Sequence, residues 1–151
     1  DIKIVVDATK ELLVKSLPYG PFLIKPNNYE LGEIFGVRLT TRSSVIPYAK
    51  KLQNMGARNV LVSMAGEGAV LVSDDGQVID APAPEGKLIN GVGAGDSMVA
   101  GFMAGYLARH DYNHAFCMGV ASGSASAFSE NLATKEEIEK VYKTIVLEEK
   151  V

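Results

Sequence analysis

Residues 90–96 read Asn-Gly-Val-Gly-Ala-Gly-Asp and run directly into an apolar segment with helical spacing. Glycine allows backbone angles that are denied to other residues, and the unpaired N–H groups at a helix start favour an anion. Phosphate is the natural occupant of such a turn. A glycine-rich turn before a helix is weakly specific by itself, because a tight turn that only closes a loop explains it about equally well.

Asp96 adds a second chemical group at the end of this turn. A carboxylate there either satisfies the free N–H groups of the helix or, if an anion occupies them, stands beside a phosphoryl group. In the second case it orients an attacking hydroxyl and accepts its proton, while the helix dipole keeps it ionised. These residues point to phosphoryl transfer with Asp96 as the base. The alternative, in which Asp96 only satisfies the N–H groups at the start of a helix, stays open at this point.

Two other glycine motifs do not fit. The P-loop pattern ends in Gly-Lys-Ser/Thr, whereas this chain has Gly95-Asp96-Ser97 and therefore lacks the lysine. The dinucleotide fingerprint requires a third glycine where Asp96 stands, and it requires an apolar strand that runs straight into the turn. Neither condition is met.

Two earlier stretches carry polar groups directly after apolar strands. Residues 25–30 read Lys-Pro-Asn-Asn-Tyr-Glu, and residues 63–68 read Ser-Met-Ala-Gly-Glu-Gly. From the residues alone, Asn27 is a helix cap and Glu30 is a first-turn acid, and that interpretation is preferred to a metal site. On the same basis the second stretch is mainly a hairpin turn.

Residues 90–102, Asn-Gly-Val-Gly-Ala-Gly-Asp-Ser-Met-Val-Ala-Gly-Phe, resemble the C-terminal signature of the ribokinase-like (PfkB) carbohydrate kinases. Within that family these residues are most similar to those of 1-phosphofructokinases and tagatose-6-phosphate kinases. Residues 25–30 resemble the family's Asn-x-x-Glu element, and residues 63–68 resemble its strand-end nucleotide loop. The three motifs occur in the family's order, and the resemblance covers essentially the whole chain, as the C-terminal half of a family member.

The resemblance implies a role for each matching residue. Asp96 is the catalytic base and contacts both the sugar and the nucleotide. The anion hole consists of Gly93, Ala94 and Gly95. The other nucleotide-binding residues are Lys25, Asn27, Ser63, Met64, Ala65, Gly66, Glu67, Gly68 and Gly95. Asn27 and Glu30 hold Mg²⁺ through water, in keeping with the few protein carboxylates that this ion accepts beside nucleotide phosphates.

The implied activity is ATP-dependent phosphorylation of a sugar phosphate, from fructose 1-phosphate to fructose 1,6-bisphosphate. The alternatives are a non-catalytic nucleotide-binding fragment, and a kinase for tagatose 6-phosphate, ribose or a nucleoside. The implied cofactors are ATP and Mg²⁺, and a monovalent cation beside the anion pocket stays open.

The chain departs from the family in two ways. Gly91 stands where the family usually has Ser or Thr, and the family's N-terminal half, with the lid and most sugar contacts, is absent. A homodimer through that lid region also stays open.

The elements that must position these residues follow from periodicity. We expect strands over residues 2–7, 22–25, 59–64, 69–73 and 77–81, and helices over 11–17, 27–36, 41–55, 97–108 and 111–128, with a last helix opened by Thr134. Early alternation of strand and helix predicts a parallel sheet, and Asp75-Gly76 between apolar runs predicts a hairpin. The fold class is α/β, ribokinase-like, a mainly parallel sheet flanked by helices with an antiparallel meander at one edge. The small and apolar residues over 97–108 predict a buried helix.

Composition sets broad limits. The chain has 151 residues, a net charge of −3 and 47% hydrophobic residues, which predicts one domain (1–151) with its own core. The mild acidity argues against nucleic acid as a partner, and no segment has the apolar length of a membrane helix. The single cysteine, Cys117, cannot form an internal disulfide and favours a reducing cytoplasm.

Overall fold

A computed structural model describes residues 2–149 of the chain, which form six α-helices, six strands and two short 3-10 turns. The strands are β1 (Val5–Val6), β2 (Leu23–Ile24), β3 (Asn59–Ser63), β4 (Ala69–Val72), β5 (Val78–Ala81) and β6 (Glu148–Glu149). The helices are α1 (Lys10–Ser16), α2 (Asn28–Phe35), α3 (Arg42–Asn54), α4 (Ala94–Arg109), α5 (Tyr112–Ala127) and α6 (Lys135–Tyr142).

The strands lie in one sheet in chain order, from β1 to β6. The pairs β1–β2 and β2–β3 are parallel, and β3–β4 is antiparallel, with Leu61 opposite Leu71. A tight turn joins β4 to β5, closed by the Ser73 N–H donating to the Gln77 carbonyl at 3.0 Å. The predicted combination of a parallel sheet with an antiparallel meander is therefore confirmed.

The chain divides into two compact units, the first formed by the residues up to Asp80 together with Glu149, and the second by Ala81–Glu148. In the first unit, alternate residues of β3 and β4, such as Val60 and Val72, join the core that is completed by α1, α2 and α3. Leu61 and Leu71, which point to the other face of the sheet, are also fully buried. The central strands β2, β3 and β4 are thus buried on both faces, as their continuous apolar residues predict, whereas β1 is only half-buried.

In the second unit, α4 and α5 run antiparallel and approach closely. A Cβ on Gly119 would lie 3.0 Å from the Met98 carbonyl oxygen, and one on Gly123 would lie 3.0 Å from the Ala94 carbonyl oxygen. The small residues of α5 therefore serve close helix packing. Helix α6 begins with the predicted capping box, in which Thr134 and Glu137 each bond the other's backbone N–H.

Several boundaries differ from the sequence predictions. Helix α4 begins at Ala94 rather than at residue 97, so the glycine-rich turn supplies its first residues. The prediction that this helix is buried, made from its small and apolar residues, is wrong, because only Gly101, Phe102 and Gly105 are buried. Strand β1 is limited to two residues, and Thr9 precedes α1 without a side-chain cap. Across residues 2–149, no helix combines the length and the apolar character that a bilayer crossing requires.

Candidate active site

The second unit places the glycine-rich turn at the start of α4. Gly93 is the residue before the helix and has a left-handed backbone (φ 79°, ψ −2°), which glycine adopts without strain. The Asn90 side chain accepts the Val92 N–H at 3.0 Å, and the Ser97 N–H donates to the Gly93 carbonyl at 2.9 Å. These bonds turn the chain abruptly from loop into helix and leave the helix start partly exposed.

The first turn of α4 has unsatisfied donors. No side chain caps this helix, and the N–H groups of Gly93, Gly95 and Asp96 have no acceptor among residues 2–149. The Ala94 N–H donates to the Gly91 carbonyl at 3.3 Å, so it is less available than its neighbours. Of the three residues expected to form an anion hole, Gly93 and Gly95 present free amides, and the amide of Asp96 joins them. Such a cluster at the positive end of a helix suits an anionic oxygen.

The Asp96 carboxylate is exposed and makes no hydrogen bond to any described residue. It therefore does not cap the helix, which was the structural alternative to a chemical role. A free carboxylate next to free amides places an acceptor of protons beside a site for anions.

The first unit brings together the two strand-end motifs. Asn27, which follows β2, forms a parallel bridge with Ser63, the last residue of β3, and the Ser63 N–H donates to the Pro26 carbonyl at 3.2 Å. Carboxyl ends of neighbouring parallel strands meet at one edge of a sheet, where ligands of α/β proteins commonly bind. Residues 25–30 and residues 63–68 are thus held in one place.

Asn27 and Glu30 form a capping box at the start of α2. The Asn27 Oδ1 accepts the Glu30 N–H at 2.8 Å, and the Glu30 Oε2 accepts the Asn27 N–H at 2.9 Å. The capping interpretation of these residues is therefore correct. It leaves the Glu30 Oε1 without a hydrogen bond to the described residues. One free carboxylate oxygen fits a contact to Mg²⁺ through water, and it does not require the cap to open.

The loop over residues 63–68 is a compact 3-10 turn that closes its own hydrogen bonds. The N–H groups of Met64, Glu67 and Gly68 donate to carbonyls of the loop itself at 2.9–3.1 Å. The amides of Ala65 and Gly66 have no carbonyl partner among residues 2–149, and both residues are exposed. The Met64 side chain belongs to the hydrophobic core.

Lys25 lies almost buried at the end of β2, with 10% of its side chain exposed, and its Nζ is 3.7 Å from the Asp7 Oδ1. Lys25 is predicted from its motif to bind the nucleotide, whereas Asp7 is a residue that the motifs do not include. A signal was available, because Asp7 follows an apolar strand just as Lys25 and Ser63 do. The ion pair restrains the ammonium group at the same strand-end edge as Asn27.

The predicted site residues thus fall into two groups. The first unit holds Lys25, Asn27, Glu30 and residues 63–68, and the second holds Asp96 with its glycine-rich turn. Within the part of the chain that the structure describes, no three His, Cys, Asp or Glu side chains are grouped as a metal site.

Comparisons with known proteins identify the family of the chain. The model of the pfkB family carbohydrate kinases matches residues 2–139. The chain is 49% identical over 139 residues to a 1-phosphofructokinase of Bacillus subtilis, covering 92% of this chain and 46% of that protein. It is 31% identical over 140 residues to a D-tagatose-1-phosphate kinase of Bacillus licheniformis, covering 92% and 46%.

A solved structure of phosphofructokinase-2 from Escherichia coli in complex with substrates and products superposes with a TM-score of 0.84 at 33% identity, covering 94% of this chain and 47% of that one. The chain therefore spans about half the length of the relatives it matches. The ribokinase-like fold is confirmed by this and other solved sugar kinases. The chain belongs to the pfkB family of carbohydrate kinases.

Proposed function

We propose that this chain is the catalytic-base and nucleotide-binding half of a kinase that transfers the γ-phosphoryl group of ATP to fructose 1-phosphate. One observation carries the proposal: the start of α4 combines free amides at Gly93, Gly95 and Asp96 with an uncapped, exposed Asp96 carboxylate. Phosphoryl transfer depends on positioning and on stabilisation of charge, and this helix start offers groups for both.

In the proposed reaction, Asp96 accepts a hydrogen bond from the sugar hydroxyl and orients its oxygen toward the γ-phosphorus. The new O–P bond forms while the bond from the γ-phosphorus to the bridging oxygen of ADP breaks, and the hydroxyl proton passes to the carboxylate. The amides of Gly93 and Gly95 donate to the equatorial oxygens of the migrating group. The Ala94 amide contributes only if it leaves the Gly91 carbonyl, which it contacts at 3.3 Å.

The strand-end groups of the first unit supply the nucleotide side of the proposal. The Lys25 ammonium, held by Asp7, offers positive charge, and Ala65 and Gly66 offer exposed amides for phosphate oxygens. Glu30 would hold Mg²⁺ through water at its free Oε1. When bound, Mg²⁺ neutralises charge on the β- and γ-phosphates.

Fructose 1-phosphate is proposed as the acceptor because the relative at 49% identity is named for it. The relative named for D-tagatose 1-phosphate makes that closely related sugar a second candidate. Both are ketohexose 1-phosphates, so both require a pocket that binds a ketohexose and its 1-phosphate group.

The test uses a polypeptide of the relatives' full length that contains these 151 residues. Turnover is measured with ATP, Mg²⁺ and a panel of fructose 1-phosphate, tagatose 1-phosphate, tagatose 6-phosphate, ribose and a nucleoside. Asp96→Asn should lower kcat by at least about 1,000-fold and change the Kd of ATP by less than about threefold, because the amides stay in place. Glu85→Gln removes an exposed carboxylate ahead of the turn and is the matched control. Near-normal turnover in Asp96→Asn would refute the assignment of the base.

A non-catalytic fragment is the second candidate function. The observation that favours it is that the chain spans only 46% of the relative at 49% identity. For this candidate, the 151-residue chain alone binds ATP and shows no turnover, while the full-length polypeptide is also inactive with every acceptor of the panel.

A further inference from the structure

The irregular segment after α5, residues 129–133, bonds to and packs against the glycine-rich turn. We name this segment the clasp loop. The Asn90 Nδ2 donates to the Glu130 carbonyl at 3.0 Å, and Leu132 packs so closely on Gly93 that a Cβ there would lie 2.9 Å from the Leu132 Cδ2. The clasp loop therefore touches the turn on both sides of residues 91 and 92.

Ser126 connects the clasp loop to the first turn of α4. Its side chain is almost fully buried, with the residue 3% exposed. The Ser126 Oγ accepts the Ala133 N–H at 3.1 Å and donates to the Ser97 Oγ at 3.0 Å. Ser97 follows Asp96 directly, so one buried hydroxyl joins the end of the clasp loop to the residue next to the proposed base.

The orientation of the Ser126 hydroxyl is informative because serine within a helix usually bonds a carbonyl one turn earlier in its own helix. Ser129 behaves in that way, since its Oγ donates to the Ala125 carbonyl at 2.9 Å. Ser126 instead bonds two groups outside α5, which uses both its donor and one of its acceptor sites.

The first turn of α4 needs such an external restraint. It has no side-chain cap, and its residues before Ser97 are Ala94, Gly95 and the exposed acid Asp96. Glycines at a helix start increase its conformational freedom. A hydroxyl bond to Ser97 limits rotation of this turn about the helix axis, which sets where the Asp96 carboxylate and the free amides point.

We infer that Ser126 and Ser97 are positioning residues, which hold the Asp96 carboxylate and the amides of the glycine-rich turn in one arrangement through a buried hydroxyl pair. The inference rests on the proposed function. Neither serine touches the reacting atoms in this arrangement, since both act through the first turn of α4.

The test measures kcat and KM in the full-length polypeptide. Ser126→Ala and Ser97→Ala should each lower kcat by about 5- to 50-fold, because a displacement below 1 Å at a reacting group is costly, while the KM for ATP changes by less than about threefold. The double variant should be no slower than the slower single variant, since both changes break the same link. Losses that multiply in the double variant would overturn the inference.

Two further variants separate positioning from folding. Ser97→Thr keeps a hydroxyl at the half-buried position and should retain kcat within about threefold. Ser129→Ala, whose hydroxyl donates to the Ala125 carbonyl rather than to α4, should retain kcat within about twofold. In Ser126→Ala, amide hydrogen exchange should quicken at Ala133 and Ser97 together, because the Ala133 N–H loses its acceptor and the Ser97 N–H, bonded to the Gly93 carbonyl, lies in the turn that is released. Faster exchange throughout α5 would instead show a general loss of stability and would contradict the inference.

The outcomes distinguish this inference from the proposed function. If Asp96→Asn keeps full turnover, the assignment of the base is wrong and the inference falls with it. If Asp96→Asn is inactive while Ser126→Ala and Ser97→Ala both keep the wild-type kcat, the proposed function stands and only the positioning role is wrong. Should Ser126→Ala fail to fold, Ser97→Ala decides, because it removes the same bond from a partly exposed position.

Discussion

Asn27 and Glu30 exchange side-chain to backbone hydrogen bonds of 2.8 and 2.9 Å across the first turn of α2, and only one carboxylate oxygen of Glu30 remains free. The same acid thus serves the helix with Oε2 and is proposed to serve Mg²⁺ with Oε1. These two roles respond differently to substitution.

Glu30→Gln should preserve the helix cap and weaken the binding of Mg²⁺. A glutamine oxygen still accepts the Asn27 N–H, so the free energy of unfolding should change by less than about 0.5 kcal/mol. The Mg²⁺ concentration for half-maximal activity should rise at least about tenfold, because the negative charge is lost. Thermal melting and a Mg²⁺ titration of turnover measure the two effects. An unchanged Mg²⁺ requirement would leave Glu30 as a helix cap alone.

Gly93→Ala should damage the proposed anion site. A side chain at φ 79° costs about 1–2 kcal/mol, and the new Cβ would also lie 2.9 Å from the Leu132 Cδ2. We expect kcat to fall at least about tenfold, because the turn must move and its amides with it. Gly91→Ala is the control, since its Cβ would meet only the Leu88 Cδ1, at 4.0 Å. Steady-state kinetics and chemical unfolding of both variants check this; equal effects would show that the turn has no special geometry at Gly93.

The Arg42–Asp80 ion pair should contribute to the stability of the first unit. Asp80 is fully buried and its Oδ2 accepts from the Arg42 Nη1 at 3.1 Å. Arg42→Met removes the guanidinium from a buried carboxylate and should lower the free energy of unfolding by about 3–5 kcal/mol. Arg58→Met breaks a pair with Asp74 that is far more exposed, and should cost about 0–1 kcal/mol. Urea unfolding compares the two, and similar losses would contradict the dependence on burial.

Cys117 should be unreactive in the native protein. Burial, assisted by the negative charge of Asp111, raises the pKa of its thiol to about 11. At pH 8 a disulfide reagent should therefore label less than about a tenth of the native protein in the time that labels all of the unfolded protein. Rapid native labelling would contradict this burial.

The same shift predicts a pH dependence of stability. Because the folded state keeps the proton more tightly than the unfolded state, this stabilisation is complete below the unfolded pKa of about 9 and is lost as the pH rises toward about 11. Urea unfolding of the native chain and of Cys117→Ser across this window measures the difference. Parallel curves for the two proteins would show that the thiol does not contribute.

Local signals predicted the site best. The capping residues Asn27 and Thr134 were readable because capping depends on neighbours three positions apart. The start of α4 was placed three residues late because glycine and alanine next to a loop give no clear boundary, and glycine has a low helix propensity. The position of Asp7 after an apolar strand could be read from the sequence, but its pairing with Lys25 depends on the packing of β1 beside β2, which no local pattern encodes.

Ser126 was hidden for a different reason. Within α5 it lies among small residues whose common explanation is close packing, which Gly119 and Gly123 confirm. Only the structure shows that its hydroxyl leaves the helix to reach Ser97 and Ala133. The role of a polar residue within a small-residue stretch is therefore hard to predict from sequence, since the same residue type can pack closely or form a tertiary hydrogen bond.

The self-closed turn over residues 63–68 has a consequence for the energetics of ligand capture. Three of its amides already donate to carbonyls of the loop itself, with bonds such as the Met64 N–H to the Gly68 carbonyl at 2.9 Å, so the loop has its shape before a ligand binds. A nucleotide that docks there meets a preorganised surface, and its affinity is not reduced by the entropy of ordering a mobile segment. Association at this loop should accordingly proceed in a single kinetic phase.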